Sequence, residues 1–324
     1  MAGIEKEKMK DTYGREIHYL RLSVTDLCNL RCRYCMPEEG VCRREHAQMM
    51  TQEETLRAVR IAAELGVDRV RITGGEPLVK RNILAICRGV AETPGIRETG
   101  LTTNGIRMRE MAQSLREAGV GRINISLDTL DPDRYAYMTR GGRLEDALAG
   151  IEAALAAGFE RVKINAVLIG GFNDAEIPAL AELTRRWPVD VRFIELMPMA
   201  GNREFGPECY VPATRVLEAL PEAVPAAEEG VARLYALPGA MGRIGLISPL
   251  SRHFCGSCNR IRLTADGKLK PCLHSGEEIS IRGLTEEEVR ARFREAILAK
   301  PASHGALSPE DRSRAGRTMN EIGG

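Results

Sequence analysis

The chain has 324 residues, 44% apolar and 28% charged, the proportions of a globular protein that buries a full core without disulfide staples. Lysine and arginine number 46 against 45 acidic residues, and a net charge of +1 excludes a protein built chiefly to coat nucleic acid or an anionic membrane. No apolar run approaches the roughly 20 residues that span a bilayer, and the polar, mixed-charge start Met1 to Lys10 reads as neither signal nor transit peptide, so a soluble cytoplasmic protein is expected.

Short β-branched runs alternate with helical patterns through the first two hundred residues. Predicted strands are Tyr19–Thr25, Arg69–Thr73, Glu98–Thr103, Arg122–Leu127, Arg161–Leu168 and Val191–Leu196. Thr51-Gln-Glu-Glu54 is a capping box that opens a helix, and Gly66 closes it. Leu144, Ala147, Leu148, Ile151, Ala154 and Leu155 keep the helical period up to Gly158. Repeated βα units predict an α/β fold with a parallel sheet curled into a full or partial TIM-like (βα)6 barrel, an open doubly wound sheet being the alternative. Beyond Pro198 the alternation stops. Residues 199–250 show a short helix near Ala213–Leu220 and weak strand signals. Asp266-Gly267 centres a hairpin, and Thr285-Glu-Glu-Glu288 caps a final helix bearing Val289, Phe293 and Ile297. The last two dozen residues lack a periodic pattern.

One face of nearly every predicted strand is polar. Arg21, Ser23 and Thr25 alternate with Leu20, Leu22 and Val24, and Arg71 and Thr73 with Val70 and Ile72. Thr102 and Asn104 share a face, as do Asn124, Ser126 and Asp128, and Lys163 and Asn165. The sixth strand is ambiguous, with Arg192 pointing one way and Glu195 and Met197 the other. Burying such groups without partners costs roughly 1–3 kcal/mol each, so the barrel interior must hold water and large polar ligands. Arg21, Arg71 and Lys163 mark one ligand as anionic.

Nine cysteines, an odd number, argue against a disulfide framework. Cys28, Cys32 and Cys35 follow the first strand at its C-terminal end, where βα barrels build active sites. Three thiolates bind three irons of a [4Fe–4S] cluster and leave the fourth open for chemistry, whereas zinc needs a fourth ligand such as His46. Cys255, Cys258 and Cys272 form a second triad, which could also be half a zinc ribbon completed by His253 or His274. Cys42, Cys87 and Cys209 stand alone and read as small buried hydrophobes. The histidines receive no catalytic role.

The run Cys28-Asn-Leu-Arg-Cys32-Arg-Tyr-Cys35-Met-Pro resembles the signature of radical S-adenosylmethionine enzymes. That resemblance implies a cluster whose free iron binds the cofactor's methionine end and releases a 5′-deoxyadenosyl radical. Gly74-Gly-Glu-Pro77 is similar to the superfamily motif for the methionine amino group. Tyr34 matches the position beside the adenine, and Gly75, Ser126 and Met197 match further cofactor positions. Leu22 to Cys28, Arg71 to Leu78, Leu101 to Gly105, Ile125 to Asp128, Phe193 to Pro198 and Cys255 to Arg262 together resemble the GTP 3′,8-cyclase family of molybdenum cofactor biosynthesis. The resemblance runs from Tyr13-Gly14-Arg15 to the terminal Gly323-Gly324, with only residues 221–240 offering nothing to compare.

This resemblance implies two [4Fe–4S] clusters, the second on Cys255, Cys258 and Cys272 and meeting the guanine of GTP. It implies substrate contacts at Arg21, Arg71, Thr102, Lys163, Arg260, Ile261 and Arg262, residue types that suit a triphosphate. No P-loop sequence is present. Expected domains are a radical barrel over 1–198, an α+β domain carrying the second cluster over 199–300, and a tail over 301–324. Arg312, Arg314 and Arg317 in that tail face the triphosphate or a radical intermediate, or form a disordered basic end. Expected partners are GTP, an external one-electron reductant and a cyclic pyranopterin monophosphate synthase that takes the product. Nucleic acid and membrane are not expected, and the chain is read as a monomer or homodimer. The competing readings are a peptide-modifying radical enzyme with an auxiliary cluster, and a zinc-binding nucleic-acid module.

Overall fold

The computed structural model describes residues 9–41, 44–200, 202, 204–305 and 307–323. Cys42, the side chain of His46 and Gly324 lie outside the described residues. Strands β1 (Tyr19–Ser23), β2 (Arg69–Thr73), β3 (Glu98–Thr103), β4 (Arg122–Ser126), β5 (Arg161–Leu168) and β6 (Val189–Glu195) pair side by side in chain order, all parallel. Parallel neighbours need crossovers, supplied here by α1 (Gln52–Glu64), α2 (Ile83–Ala91), α3 (Met108–Glu117), α4 (Pro132–Thr139), α5 (Leu144–Ala156) and α6 (Ile177–Arg186). The Thr51 and Glu54 side chains cap α1 reciprocally as the sequence predicts. Helix α4 is the crossover element that the hydrophobic period does not signal. Its start is nevertheless written in Asp131-Pro132, where the Asp131 carboxylate accepts from the N–H groups of Asp133 and Arg134.

The C-terminal third contributes α7 (Arg215–Ala219), β7 (Val224–Glu229), β8 (Ala232–Ala236), β9 (Arg243–Ile247), β10 (Arg260–Leu263), β11 (Lys268–Lys270), β12 (Ile279–Ser280), α8 (Glu286–Leu298) and α9 (Met319–Ile322). Its strands extend the barrel sheet at both edges. β9 lies parallel to β6 and continues antiparallel into β8 and β7, while β10 lies parallel to β1 and continues into β11 and β12. The sheet order is β12-β11-β10-β1-β2-β3-β4-β5-β6-β9-β8-β7, so the sheet remains open. The Asp266-Gly267 turn joins β10 to β11 as predicted, and Thr285 caps α8.

Apolar positions of the helices pack on the outer face of the strands in one continuous core that includes Leu20, Leu22, Ile72, Ile123, Ile164 and Phe193. The alternate strand positions face inward. Glu195 is wholly buried on the outer face, where it accepts from the N–H groups of Ala213 at 3.0 Å, Leu250 at 2.9 Å and Ser251 at 3.0 Å. One carboxylate thereby ties the 199–250 region to the end of β6. Arg192 faces inward, resolving the sixth strand.

Candidate active site

A cavity of about 390 Å³ fills the barrel, and both cysteine triads line it. Of the sequence-predicted site residues, Arg21, Cys28, Cys32, Tyr34, Cys35, Arg71, Gly75, Thr102, Ser126, Lys163, Met197, Cys255, Cys258, Arg260, Arg262 and Cys272 all lie on its lining. Ile261 does not. Its side chain alternates to the outer face of β10 and is 1% exposed within the core. Ser23 and Thr25 are buried at the end of β1 rather than on the lining.

The loop after β1 places the first triad against the C-terminal end of α4. Arg31 N–H donates to the carbonyl of Thr139 and Arg33 N–H to that of Met138. Arg140, at a left-handed φ of +54°, donates to the carbonyls of Arg31 at 2.8 Å and Met36 at 3.1 Å, spanning the loop that holds Cys32 and Cys35. It also pairs with Glu204, which takes Arg33 at 2.6 Å. From the neighbouring strand, Gly75 N–H donates to Thr25 O at 2.7 Å and Glu76 N–H to Leu27 O at 2.8 Å. A Cβ on Gly75 would stand 2.3 Å from Leu27 O, so only glycine permits this approach. Buried Glu76 accepts from Leu78 N–H, Asn104 N–H and the Thr103 hydroxyl, yet burial still lifts its carboxyl to about 7. Tyr34 donates to Asp128 at 2.9 Å, and burial raises that carboxyl to about 6.

Strand register sorts the inward side chains into rows. Arg262, Arg21, Arg71, Gly100, Arg122 and Arg161 stand side by side across β10 and β1 to β5. Toward the C-terminal ends follow Thr102, Asn124 and Lys163, and then Ser126, Asn165 and Arg192. The interior therefore grades from strongly cationic at the strand starts to mostly neutral and polar near the first triad, with Arg192 the one cation of the last row. Arg71 donates to Tyr19 Oη at 3.1 Å and Asn124 Oδ1 at 3.1 Å. Burial opposes ionisation of Tyr19, but Arg71, Arg21 and Arg260 draw its phenol down to about 8. Burial, with Arg260 beside it, lowers Arg262 to about 10. So dense a group of cations calls for a polyanion.

The second triad lies at this cationic end. Lys300 donates to the carbonyls of Arg260 at 2.9 Å and Pro271 at 3.1 Å, bracing the segment between Cys258 and Cys272. Burial pushes the Cys258 thiol up, but Lys300 and Arg260 reverse the sign and lower it. His274 and His304 also reach the lining, with His253 hydrogen-bonded to His304 at 2.9 Å. The tail reaches the cavity through Met319 and Asn320. Arg317 instead forms paired bonds to Asp266 and Glu278, and Arg312 and Arg314 are exposed. The three tail arginines thus lie off the lining while the last turn lies on it.

Sequence reading missed Tyr19, Arg122, Lys300, Asn320 and Glu229 of the lining. Tyr19 and Arg122 carried a signal, since they share strand parity with Arg21 and Asn124. The expectation for Cys209 is corrected: it is half-exposed, with Glu208 3.7 Å from its thiol, because its short 3-10 turn lies on the surface. Cys87 is wholly buried, as expected.

The residues fit an iron–sulfur cluster and its cofactor. Burial raises Cys28 to about 11, Cys35 to about 12 and Cys32 well above the usual thiol range, so three desolvated thiols face one another with no cation from the described residues among them. A bound iron cluster supplies that missing positive charge. Among the described residues no group of three His, Cys, Asp or Glu side chains is gathered to hold a single metal ion. A cubane offers its irons at separate corners, so its thiolates stand further apart than the ligands of one zinc. Asn165 Oδ1 and Arg260 Nε on the lining have no hydrogen-bond partner among the described residues, which suits contacts to polar ligands.

Residues 22–184 match the Radical SAM superfamily and residues 189–306 the Molybdenum Cofactor Synthesis C family. The GTP 3′,8-cyclase of Alkaliphilus oremlandii is 46% identical over 98% of this chain and 100% of its own length. That of Moorella thermoacetica is 47% identical with the same coverage. Among solved structures, Streptococcus suis SuiB bound to S-adenosylmethionine superposes with a TM-score of 0.63 at 16% identity, a likeness of fold alone. It covers 83% of this chain but only 64% of that longer one. The two family matches account for a barrel and its added strands as one lineage: the chain belongs to the GTP 3′,8-cyclase family of radical S-adenosylmethionine enzymes.

Proposed function

We propose that this protein cyclises GTP to (8S)-3′,8-cyclo-7,8-dihydroguanosine 5′-triphosphate, the first step of molybdenum cofactor biosynthesis. The observation that carries the reading is one barrel cavity lined at its two ends by cysteine triads, with a cationic wall at one of them. Cys28, Cys32 and Cys35 hold the first [4Fe–4S] cluster, and Cys255, Cys258 and Cys272 a second. With S-adenosylmethionine bound, the first cluster would supply hydrogen abstraction from C3′ of the ribose; the product's new bond joins C3′ to C8 of guanine, and one electron from the external reductant with one proton completes the dihydroguanine ring.

The chain's own residues bind and orient. Tyr34, Gly75, Ser126 and Met197 seat S-adenosylmethionine at the neutral end. Arg21, Arg71, Thr102, Lys163, Arg260 and Arg262 take the triphosphate, where arginine forks match phosphate oxygens. The opposed polarity of the two ends orients GTP with its phosphates away from the first triad. The surrounding strands and the tail keep bulk water from the reacting carbon. In this reading residues 1–198 form the radical barrel, 199–300 the part that carries the second cluster, and 301–324 the tail. An external one-electron reductant feeds the site, and a cyclic pyranopterin monophosphate synthase takes the product. Among the described residues no helix is long and apolar enough to cross a membrane, which is compatible with a cytoplasmic place of work.

The test is anaerobic turnover with reductant, S-adenosylmethionine and GTP deuterated at C3′. One added deuterium in the 5′-deoxyadenosine is the expected outcome. Unlabelled 5′-deoxyadenosine overturns the assignment of C3′.

A further inference from the structure

The tip of the β7–β8 hairpin enters the cationic end of the cavity, where Glu229, Gly230 and Val231 lie on the lining. The Glu229 carboxylate stands 2.7 Å from Lys163 Nζ, 2.7 Å from Arg161, 3.3 Å from Arg192, 3.4 Å from Arg243 and 3.9 Å from Arg122. Asp190, on Arg161 and Arg243, and Glu98, on Arg122, share these cations, and three carboxylates among five cations still leave the group positive. Several converging donors on a pair of oxygens is the surrounding of a bound phosphate more than of a surface ion pair.

The hairpin is held more lightly on its β7 side than on its β8 side. β7 is an edge strand paired only with β8, and Glu229 is opposite Ala232 across the two-residue turn Gly230-Val231. Gly230 has φ +64°, and nothing lies within 4 Å of where its Cβ would be. Residues 224–228 are exposed, so no apolar packing by β7 holds the tip in place. Its pairing with β8 and the ion pairs of Glu229 do. Swinging the tip outward breaks no backbone hydrogen bond between the six barrel strands.

We propose that Glu229 is a specificity-determining residue, an internal stand-in for a substrate phosphate that the triphosphate displaces, so that this competition sets how many phosphates the site requires. The inference rests on the GTP reading above. A ligand with fewer phosphates brings too little charge to release the carboxylate from Lys163 and its neighbouring arginines. A triphosphate brings enough, and the hairpin tip then loosens.

The test uses the anaerobic holoenzyme with both clusters and measures binding of GTP, GDP and inorganic tripolyphosphate. Glu229→Gln is expected to bind GDP about tenfold more tightly and GTP by much less, so that the preference for GTP shrinks by a similar factor. Glu229→Asp, which keeps the charge, is expected to retain the preference. An unchanged preference in E229Q, or weaker binding of all three ligands, overturns the proposal and makes Glu229 a fixed support for its cations. The wild-type enzyme gives an independent readout that needs no variant to fold. Hydrogen exchange in residues 224–236 is expected to speed up when tripolyphosphate binds, and slowing or no change overturns displacement. If the wild type binds S-adenosylmethionine but neither GTP nor tripolyphosphate, the GTP reading itself has failed.

Discussion

Arg262 Nη1 donates to the carbonyl oxygen of Gly323 at 2.7 Å, joining a cation of the cavity wall to a residue 61 positions later in the chain. Gly323 has φ +78°, and a Cβ there would lie 2.8 Å from Thr73 Cγ2 and 3.0 Å from Ser23 Cβ. The tail therefore lies across the ends of β1 and β2, covering the polar positions that the strand alternation exposes inward. Asn320, which donates to Asp26 O at 3.0 Å, and Arg317, on Asp266 and Glu278, fasten it on either side.

Gly323→Ala is expected to unseat this turn, since left-handed backbone strain alone costs an L-residue about 1–2 kcal/mol and the crowding adds to it. Limited proteolysis at Arg317 should quicken and the KM for GTP should rise, while S-adenosylmethionine binding is kept. Proteolysis at the wild-type rate would show that the tail does not depend on Gly323.

Gly100 is a requirement on β3 that only its neighbour explains. A Cβ at this position would stand 2.5 Å from Arg71 Cζ, so the missing side chain makes the space in which the guanidinium lies across the strand. Gly100→Ala should push Arg71 off Tyr19 and Asn124 and raise the KM for GTP about tenfold, the scale of one lost charge-assisted contact. Uncoupled cleavage of S-adenosylmethionine should persist at the wild-type rate, and its loss would mean that the barrel itself had been disrupted.

Burial, aided by Arg192 and opposed by Glu229, lowers Lys163 from 10.5 to about 8. The sign follows from a depressed cation. The folded protein loses this proton as pH rises through about 8, so the charged lysine is present below that pH and costs stability there. Affinity for GTP should fall as pH passes 8, although the phosphates remain ionised. Folding stability should gain from this group between about 8 and 10.5. Lys163→Met should weaken binding at neutral pH and flatten the alkaline limb. A limb that survives in this variant would assign the titration to another group.

Arg140 holds a strained conformation for a non-glycine residue while bridging the carbonyls of Arg31 and Met36. Arg140→Gly removes the bridge without adding backbone strain, so a faster loss of iron reports the missing bridge. Iron at the first triad should be lost to a chelator several-fold faster, as expected when supporting partners of a metal site are removed. The fold, followed by far-ultraviolet circular dichroism, should be kept, and iron loss at the wild-type rate would show that the loop holds its shape without the clamp.

Much of this protein was legible in its residues. Local periodicity located β1 to β6 to within about two residues, because alternation and helix capping are properties of a few neighbouring side chains. The tight spacing of Cys28, Cys32 and Cys35 needs no tertiary information, and the inward polar faces announced a wet interior. What lies far apart in the chain was settled only by folding. The short strands of the C-terminal third carry little pattern of their own, yet β9 and β10 find the open edges of β6 and β1 and extend the sheet from both sides. Ile261 lies between two cavity-lining arginines in sequence but on the other face of its strand, a consequence of the two-residue repeat once β10 is registered on β1. Glu229 looks like any exposed acid on a polar hairpin, and Arg317 like any basic tail residue. Their partners are distant in sequence, and charges are matched across space by the fold, not by spacing along the chain.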